Sequence, residues 1–533
     1  MIIGMKPCKT KLRRIYLLLF AAAAITGGCI HQPPMLPLSK QIPIDRKLVE
    51  YPSGTALVPL VNGLNAPTAI AIDFDSDALI VAESGMDGRE PHIFGYHLRD
   101  GSYFNIYPYQ RTVSFYPPGF ALYGPIGGMV VHQGRVIVSH RDRDGSGMIT
   151  WLDYKGGHGT VVADLPARGD YGVTDVTISP NNGRLYFGVG TATNSGVVGN
   201  DNWDAGWLKR YSDVHDIPYD PNSTLYLLGR RFDTPNPQAG LFGSDITVTA
   251  PFQPFGVSNQ TQLFGNNPKP NGAIYSVGID GGDLRIEAYG IHNPRGLAFN
   301  DNEYGRLYMT NDGMELRGTR PVKDDPDCLL RVSSGVWYGW PDYATNCQPV
   351  SNSIFQPGPE MMMKSGYPDL SFLIDHERSG LHAPDAKEMV AGVFPSLSGA
   401  AKFDFAPASG PFKDLRGSAI VPLDGDRSPF ATSGLKLAGR VGFKVVLVDL
   451  DTKQVKDFIH NTAGIPASMQ DYGTVALERP IDVKVGPDGA IYILDFGQME
   501  NKEGEPEIHA GTGRIFKLYK SAGVADPISP TQK

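Results

Sequence analysis

The chain has 533 residues, 41% hydrophobic and 20% charged, values that exclude wholesale disorder and allow a large buried core. Its formal charge of −8 gives it no electrostatic reason to bind nucleic acid or an anionic membrane surface. The 63 glycines and 43 prolines are spread along the length, which suits many short strands and turns better than long helices.

The N-terminus reads as an export signal. Lys6, Lys9, Lys11, Arg13 and Arg14 form a basic head, and the apolar run at 15–25 has secretory length but is short for a membrane span. The run ends in "AITGGC", small residues before Cys29 that resemble the acylation site of bacterial lipoproteins, with Thr26 where leucine is usual. Residues 1–28 are therefore expected to be removed, Cys29 to carry a lipid, and residues 29–53 to act as a tether. Ordinary secretion with cleavage nearby is the alternative. Removal takes away five positive charges and no negative ones, moving the formal charge from −8 to −13. The protein is expected at the cell envelope as a monomer, touching the membrane through the lipid alone and with no nucleic-acid partner.

From 54 to 522 one pattern recurs: a polar or proline-bearing start, an alternating strand, a turn rich in Asp, Asn or Gly, and a second apolar strand. It appears as "APTAIAIDFDSDALIVAESG" (66–85), "GPIGGMVVHQGRVIVSHRDRDG" (124–145) and "GVTDVTISPNNGRLYFGVGT" (172–191). It returns as "NPRGLAFNDNEYGRLYMTNDG" (293–313), a stretched copy at 399–425, and "RPIDVKVGPDGAIYILDFGQ" (479–498). Most copies are followed by another strand pair, such as "GAIYSVGIDGGDLRIEAYG". Six units of about four antiparallel strands predict an all-β, six-bladed propeller with long loop insertions. "ALVPLV" (56–61) is expected to pair with "GRIFKLYK" (513–520) and so remove the open edges. Residues 523–533 read as a tail. A two-domain β-sandwich is the weaker rival.

In such a ring the starts of the inner strands meet at one funnel. They bring together Asn65, Gly127, Gly128, Asp170, Tyr171, Thr174, Asp175, His292, Asn293, Arg295, Ser396, Ser398, Glu478, Arg479 and Asp482. The mixture suits a polyhydroxy or carboxylate ligand, or a cation held by groups such as Asp175 and Asp482. Each also has a plain reading: a turn cap for Asp or Thr, a hydrogen-bonded structural histidine for His292, an ion pair for Arg479. Of the cysteines, Cys328 and Cys347 remain after Cys8 and Cys29 are accounted for, and export makes a disulfide between them the expectation.

"GIHNPRGLAF", "GRLYMTNDGMELRGTRPVKDDPDCLLRVSSGVWYGWPDY" and "RPIDVKVGPDGAIYILDFG" resemble the glucose/sorbosone dehydrogenase family, over roughly residues 60–520. The resemblance implies a six-bladed propeller that oxidises sugars with pyrroloquinoline quinone and calcium. It implies a base at "GDYGVTDVTI", where this chain offers Asp170 and Tyr171 in place of the family's histidine. His292 stands where the family's arginine precedes the conserved Asn-Pro, here Asn293. Arg479 matches the first of two cofactor arginines and Ile481 occupies the second, while Lys436 or Arg440 supplies the lysine's charge. Trp337, Tyr338 and Trp340 are expected as core between blades.

Three functions follow: quinone-dependent oxidation of an aldose or related alcohol, carbohydrate or protein binding without catalysis, and cation-dependent hydrolysis of the lactonase type. Under the first, Asp170, Tyr171 and His292 are the catalytic candidates, with Asn293, Arg295, Arg479 and Lys436 toward the cofactor.

Overall fold

The computed structural model describes residues 32–109, 120–222, 224–239, 243–259, 263–265, 267–428, 432, 439–470, 475–502 and 505–521. The signal segment, Cys29, Lys436 and the C-terminal tail lie outside the described residues.

Six antiparallel blades follow one another around a central channel. The first is built from Pro67–Asp73, Ala78–Glu83, His92–His97 and Tyr103–Tyr107. The second uses Tyr123–His132, Arg135–Arg141, Gly147–Asp153 and His158–Leu165. Val173–Ile178, Leu185–Val189, Ala273–Val277 and Arg285–Tyr289 make the third, with Val336–Trp337 added in parallel at its outer edge. The fourth holds Asn293–Asn300, Arg306–Asp312, Asp327–Arg331 and Val390–Phe394. Asp404–Phe405, Ser418–Leu423, Lys444–Asp449 and Val455–Asn461 form the fifth. In the sixth, Pro480–Val485, Ile491–Asp495 and Gly513–Lys520 are completed by the N-terminal strand Thr55–Leu64.

Turn chemistry sets the hairpins. In the second blade Gln133 and Gly134 take φ of 49° and 72°, the paired positive values that a tight two-residue hairpin turn requires. The first blade's inner strand, Pro67–Asp73, is buried at every position. Apolar burial divides into one cluster per blade interface. Ile80, Met129 and Val136 join the first blade to the second, and Met309, Ile274 and Leu297 join the third to the fourth. Phe516, Ile420 and Val483 join the fifth to the sixth. Each cluster needs both neighbours, so the ring must close for any interface to be fully covered.

Closure occurs where the sequence pattern placed it. Thr55–Leu64 pairs antiparallel with Gly513–Lys520, with Leu57 opposite Leu518. A circuit of hydrogen bonds between the inner parts of neighbouring blades reinforces it. Thr68 Oγ1 donates to Ile126 O at 2.8 Å, Ser139 Oγ to Thr174 O at 2.5 Å, and Thr174 Oγ1 to Pro294 O. Thr310 Oγ1 donates to Ala401 O at 2.9 Å, Lys402 N to Ile481 O at 3.2 Å, and Ile70 N to Asp482 Oδ2 at 2.9 Å. Every blade is tied to the next.

Two expectations change. The segment read as a tether from 29 to 53 is folded from Pro34 onward. Leu36 N donates to Leu60 O at 2.8 Å, Ile44 N to Leu57 O at 2.9 Å, and Val49–Glu50 adds a fifth strand to the fifth blade. The cause is edge protection: these residues cover strands that would otherwise present unpaired groups, and Ile44, Val49 and Tyr51 bury their side chains in doing so. The Cys328–Cys347 disulfide is absent, and both residues are free thiols. Cys328 Sγ accepts a hydrogen bond from Thr345 Oγ1 at 3.4 Å, and Cys347 Sγ faces Met389 Sδ at 3.9 Å. Trp337, Tyr338 and Trp340 are buried among apolar neighbours.

Candidate functional site at the mouth of the channel

Strand direction alternates within a blade, so the start of the inner strand and the connection between second and third strands share one end. The described parts of large insertions gather there: 190–272 from the third blade, 313–326 from the fourth, 424–443 from the fifth and 496–512 from the sixth. The polar residues ahead of each inner strand therefore meet loops from distant sequence.

His292 occupies the centre of this arrangement. Pro294 favours an extended backbone for Asn293, which starts the strand and leaves His292 just outside it. Its Nδ1 donates to Asp312 O at 2.9 Å, which fixes the tautomer, and Nε2 is buried with no hydrogen-bond partner. The Tyr171 ring stands edge-on at 4.8 Å and Trp340 lies near-parallel at 6.5 Å. Burial, helped by the Arg317 charge, pushes the imidazole pKa down to about 4. At neutral pH His292 is uncharged and offers a lone pair.

Asp170 and Tyr171 sit beside it, but neither offers an accepting atom. Asp170 takes hydrogen bonds from Trp207 Nε1 at 2.6 Å, Asn202 Nδ2 at 3.2 Å and Arg317 Nη2 at 2.8 Å. Burial raises the Tyr171 phenol well above its ordinary pKa, with Glu315 adding to the effect, so it stays protonated. The expectation that these two residues supply the base is corrected: His292 alone of the three has a free basic atom.

Arg317 organises this side of the mouth. It pairs with Asp170, with Asp201 at 2.7 Å and with Glu315, and its side chain is 4% exposed. On the other side Arg295 Nη2 meets Asp424 Oδ2 at 2.6 Å, with Asp312 Oδ2 at 3.7 Å from Nε. Burial works against the Asp424 charge, yet Arg295 and Arg427 outweigh it and hold the carboxyl down at about 2. Burial dominates at Asp312 and pushes its carboxyl up to about 8, against the pull of Arg295. Asn293 Nδ2 donates to Asp312 Oδ2 at 2.8 Å. Arg479 donates to the carbonyls of Asp424 and Gly425 at 3.1 Å and of Asp426 at 3.2 Å, and lies over the Phe443 ring. It clamps the fifth-blade loop.

Asp175 and Asp482, expected as cation ligands, are bonded within the inner strands. Asp175 accepts from Val176 N at 2.9 Å and from Leu297 N of the next blade at 3.0 Å. Asp482 accepts from Ile70 N and pairs with Lys484 Nζ at 2.8 Å. Their charges are spent on backbone N–H groups and a lysine, because an inner strand in a closed ring leaves donors that its neighbour must satisfy. Among the described residues no three His, Cys, Asp or Glu side chains converge on a cation position beside His292 or at the starts of the inner strands.

Arg317, Trp207, Asn202, Asp312 and Asp424 were not singled out from sequence. Arg317 was within reach: it follows the second strand of the fourth blade, so the propeller topology already places its loop at the mouth. Trp207 and Asn202 lie in the 190–272 insertion, which carries no strand periodicity. A separate cleft of about 380 Å³ is lined by Leu165, Arg168, Ala192, Asp213, His215 and Lys269, and neither Asp170 nor His292 borders it.

No family model and no curated protein sequence matches the chain. Among solved structures it is similar to the holo form of the pyranose dehydrogenase PQQ domain from Coprinopsis cinerea, with a TM-score of 0.50 and 15% identity. That match covers 90% of this chain and 98% of the other. A calcium structure of a family AA12 carbohydrate-active enzyme from Trichoderma reesei gives 0.48 and 13%, covering 91% and 100%. At such identities the likeness establishes the six-bladed fold alone.

A tricarboxylate quinone needs cations able to turn toward it. Arg295, Arg317 and Arg479 are each committed to carboxylates or carbonyls of the protein. Among the described residues, the buried atoms left without a hydrogen-bond partner around them include His292 Nε2, one carboxylate oxygen each of Asp201, Asp312, Asp424 and Asp426, and one cationic donor, Arg479 Nε. As arranged, these residues do not fit an anionic quinone.

Proposed function

We propose that the mouth binds a neutral polyhydroxy compound of the sugar class, with His292 accepting the hydrogen of one hydroxyl. The buried, unpartnered Nε2 of a neutral imidazole carries this reading. A hydroxyl supplies the missing donor without bringing negative charge among carboxylates. The Tyr171 and Trp340 rings hold the imidazole in place, and Asp312, whose carboxyl burial pushes toward its protonated form, can donate in return.

Calorimetry with neutral aldoses and polyols tests it. Binding of a neutral sugar is expected, weakened at least tenfold by His292→Phe, which keeps a ring and removes the acceptor. Sugar acids are expected to bind worse than their neutral parents. Failure of every neutral polyol, or an unchanged affinity in His292→Phe, refutes the proposal.

Oxidation of the bound hydroxyl is the finer reading, favoured by a proton acceptor placed where a hydroxyl would lie. It requires Arg295, Arg317 or Arg479 to leave its partner for an anionic cofactor. Pyrroloquinoline quinone and calcium added to the purified protein produce a spectral change under this reading and none under simple binding. Export with a lipid on Cys29 belongs to the same proposal and rests on the order of basic head, apolar run and Cys29. Mass spectrometry of the mature N-terminus checks it, and processing at another residue overturns it.

A further inference from the structure

We propose that Glu500, Glu507 and His509 bind one divalent transition-metal ion of the zinc class on a hairpin at the rim of the mouth. The hairpin, Met499–Lys502 with Glu505–Ile508, is inserted between the second and third strands of the sixth blade. Its register sets Glu500 directly opposite Glu507. Like charges facing each other across a ladder destabilise it, and an ion held between them would offset that repulsion. His509 stands beside Glu500 without hydrogen-bonding to it. Its Nε2 lies 3.7 Å from Glu500 Oε1, beyond hydrogen-bond range, and is closed to solvent without another hydrogen-bond partner.

The spacing suits an ion instead. One ligand atom from each of the three residues lies within 4.8 Å of the other two. A tetrahedral ion with bonds of about 2.0–2.2 Å holds its ligand atoms about 3.3–3.5 Å apart. The 3.7 Å gap is near that value. Two supports hold the geometry: Gln498 Nε2 donates to Glu500 Oε1 at 2.6 Å, and His509 N donates to Gln498 O at 3.0 Å. One imidazole and two carboxylates match zinc, whereas calcium takes six to eight oxygens. Three protein ligands leave a fourth position to water. The ion ties the hairpin closed beside the mouth, and the site stands independently of His292.

The experiment uses the full mature chain, stripped of metal and titrated with zinc chloride alone, and with calcium chloride alone, by calorimetry near pH 7.5. One zinc per chain is expected, with affinity reduced at least tenfold in His509→Ala and in Glu507→Gln. Calcium is expected to bind much more weakly. All three positions are on the surface hairpin, and Glu500→Gln serves as a third variant if either of the others melts differently from the parent. Retention of the zinc by the variants, no zinc bound by the parent at micromolar concentration, or calcium binding as tightly as zinc overturns the proposal. The first of these outcomes leaves His509 as a simple ion-pair partner of Glu500.

Discussion

Lowering the pH from 7.5 to 4 places the largest test on His292. An ordinary histidine takes its proton near 6.5, while burial holds His292 down at about 4. Between these values the unfolded chain carries the proton and the folded protein does not. The unfolded state therefore binds more protons, and folding stability falls as pH falls through this window. The difference of about 2.5 pH units amounts to about 2 kcal/mol lost by pH 5 and about 3 kcal/mol by pH 4. His140 is held down at about 4 by burial as well, so the total acid loss is not diagnostic. The comparison is with His292→Gln, which lacks the titrating group and should lose about 2 kcal/mol less between pH 7.5 and 5. Urea denaturation at the two pH values measures the difference. A ¹³C-labelled histidine spectrum measures the titration directly, with the His292 resonance assigned by its loss in the variant. A midpoint at 6 or above, or equal acid losses in parent and variant, refutes the neutral imidazole and the proton-accepting role built on it.

Three further outcomes follow from the same geometry. Arg317→Met leaves Asp170, Asp201 and Glu315 without the guanidinium they share and should cost about 3–5 kcal/mol in denaturant unfolding; a loss under about 1 kcal/mol refutes the organising role. Asp482→Ala strands the buried Ile70 N–H and should cost about 1–3 kcal/mol, equally with calcium or chelator present; a calcium-dependent melt would restore it as a cation ligand. Cys328 and Cys347 should both alkylate in the unfolded mature chain without prior reduction, and Cys328 should resist the reagent while the fold is intact. Reagent uptake that appears only after reduction would reinstate the disulfide.

The architecture was legible because its signals are local. Alternation, hairpin glycines and the repeated start of each unit can be read within about twenty residues, and together they defined six blades and a closing strand around 56–61. His292 and Asn293 were legible for the same reason, since a polar pair around a proline at the start of a buried strand is anomalous on its face. Their roles were less so. Arg295 and Arg479 look alike in sequence to free cofactor arginines, and their commitment to Asp424 and to the 424–426 carbonyls depends on a loop more than fifty residues away from either.

By itself, then, the order of residues determined a ring of antiparallel blades, its point of closure and the end at which polar groups collect, because strand period and turn geometry are properties of neighbouring residues. Only the tertiary structure decided which of those groups keeps an unused atom. Asp175, Asp482 and Asp170 are satisfied by partners from other blades or from a loop without periodicity, while His292 is enclosed by rings and left with its lone pair. Whether a buried polar atom is spent or available depends on contacts made across the ring, and those exist only once the chain has closed on itself.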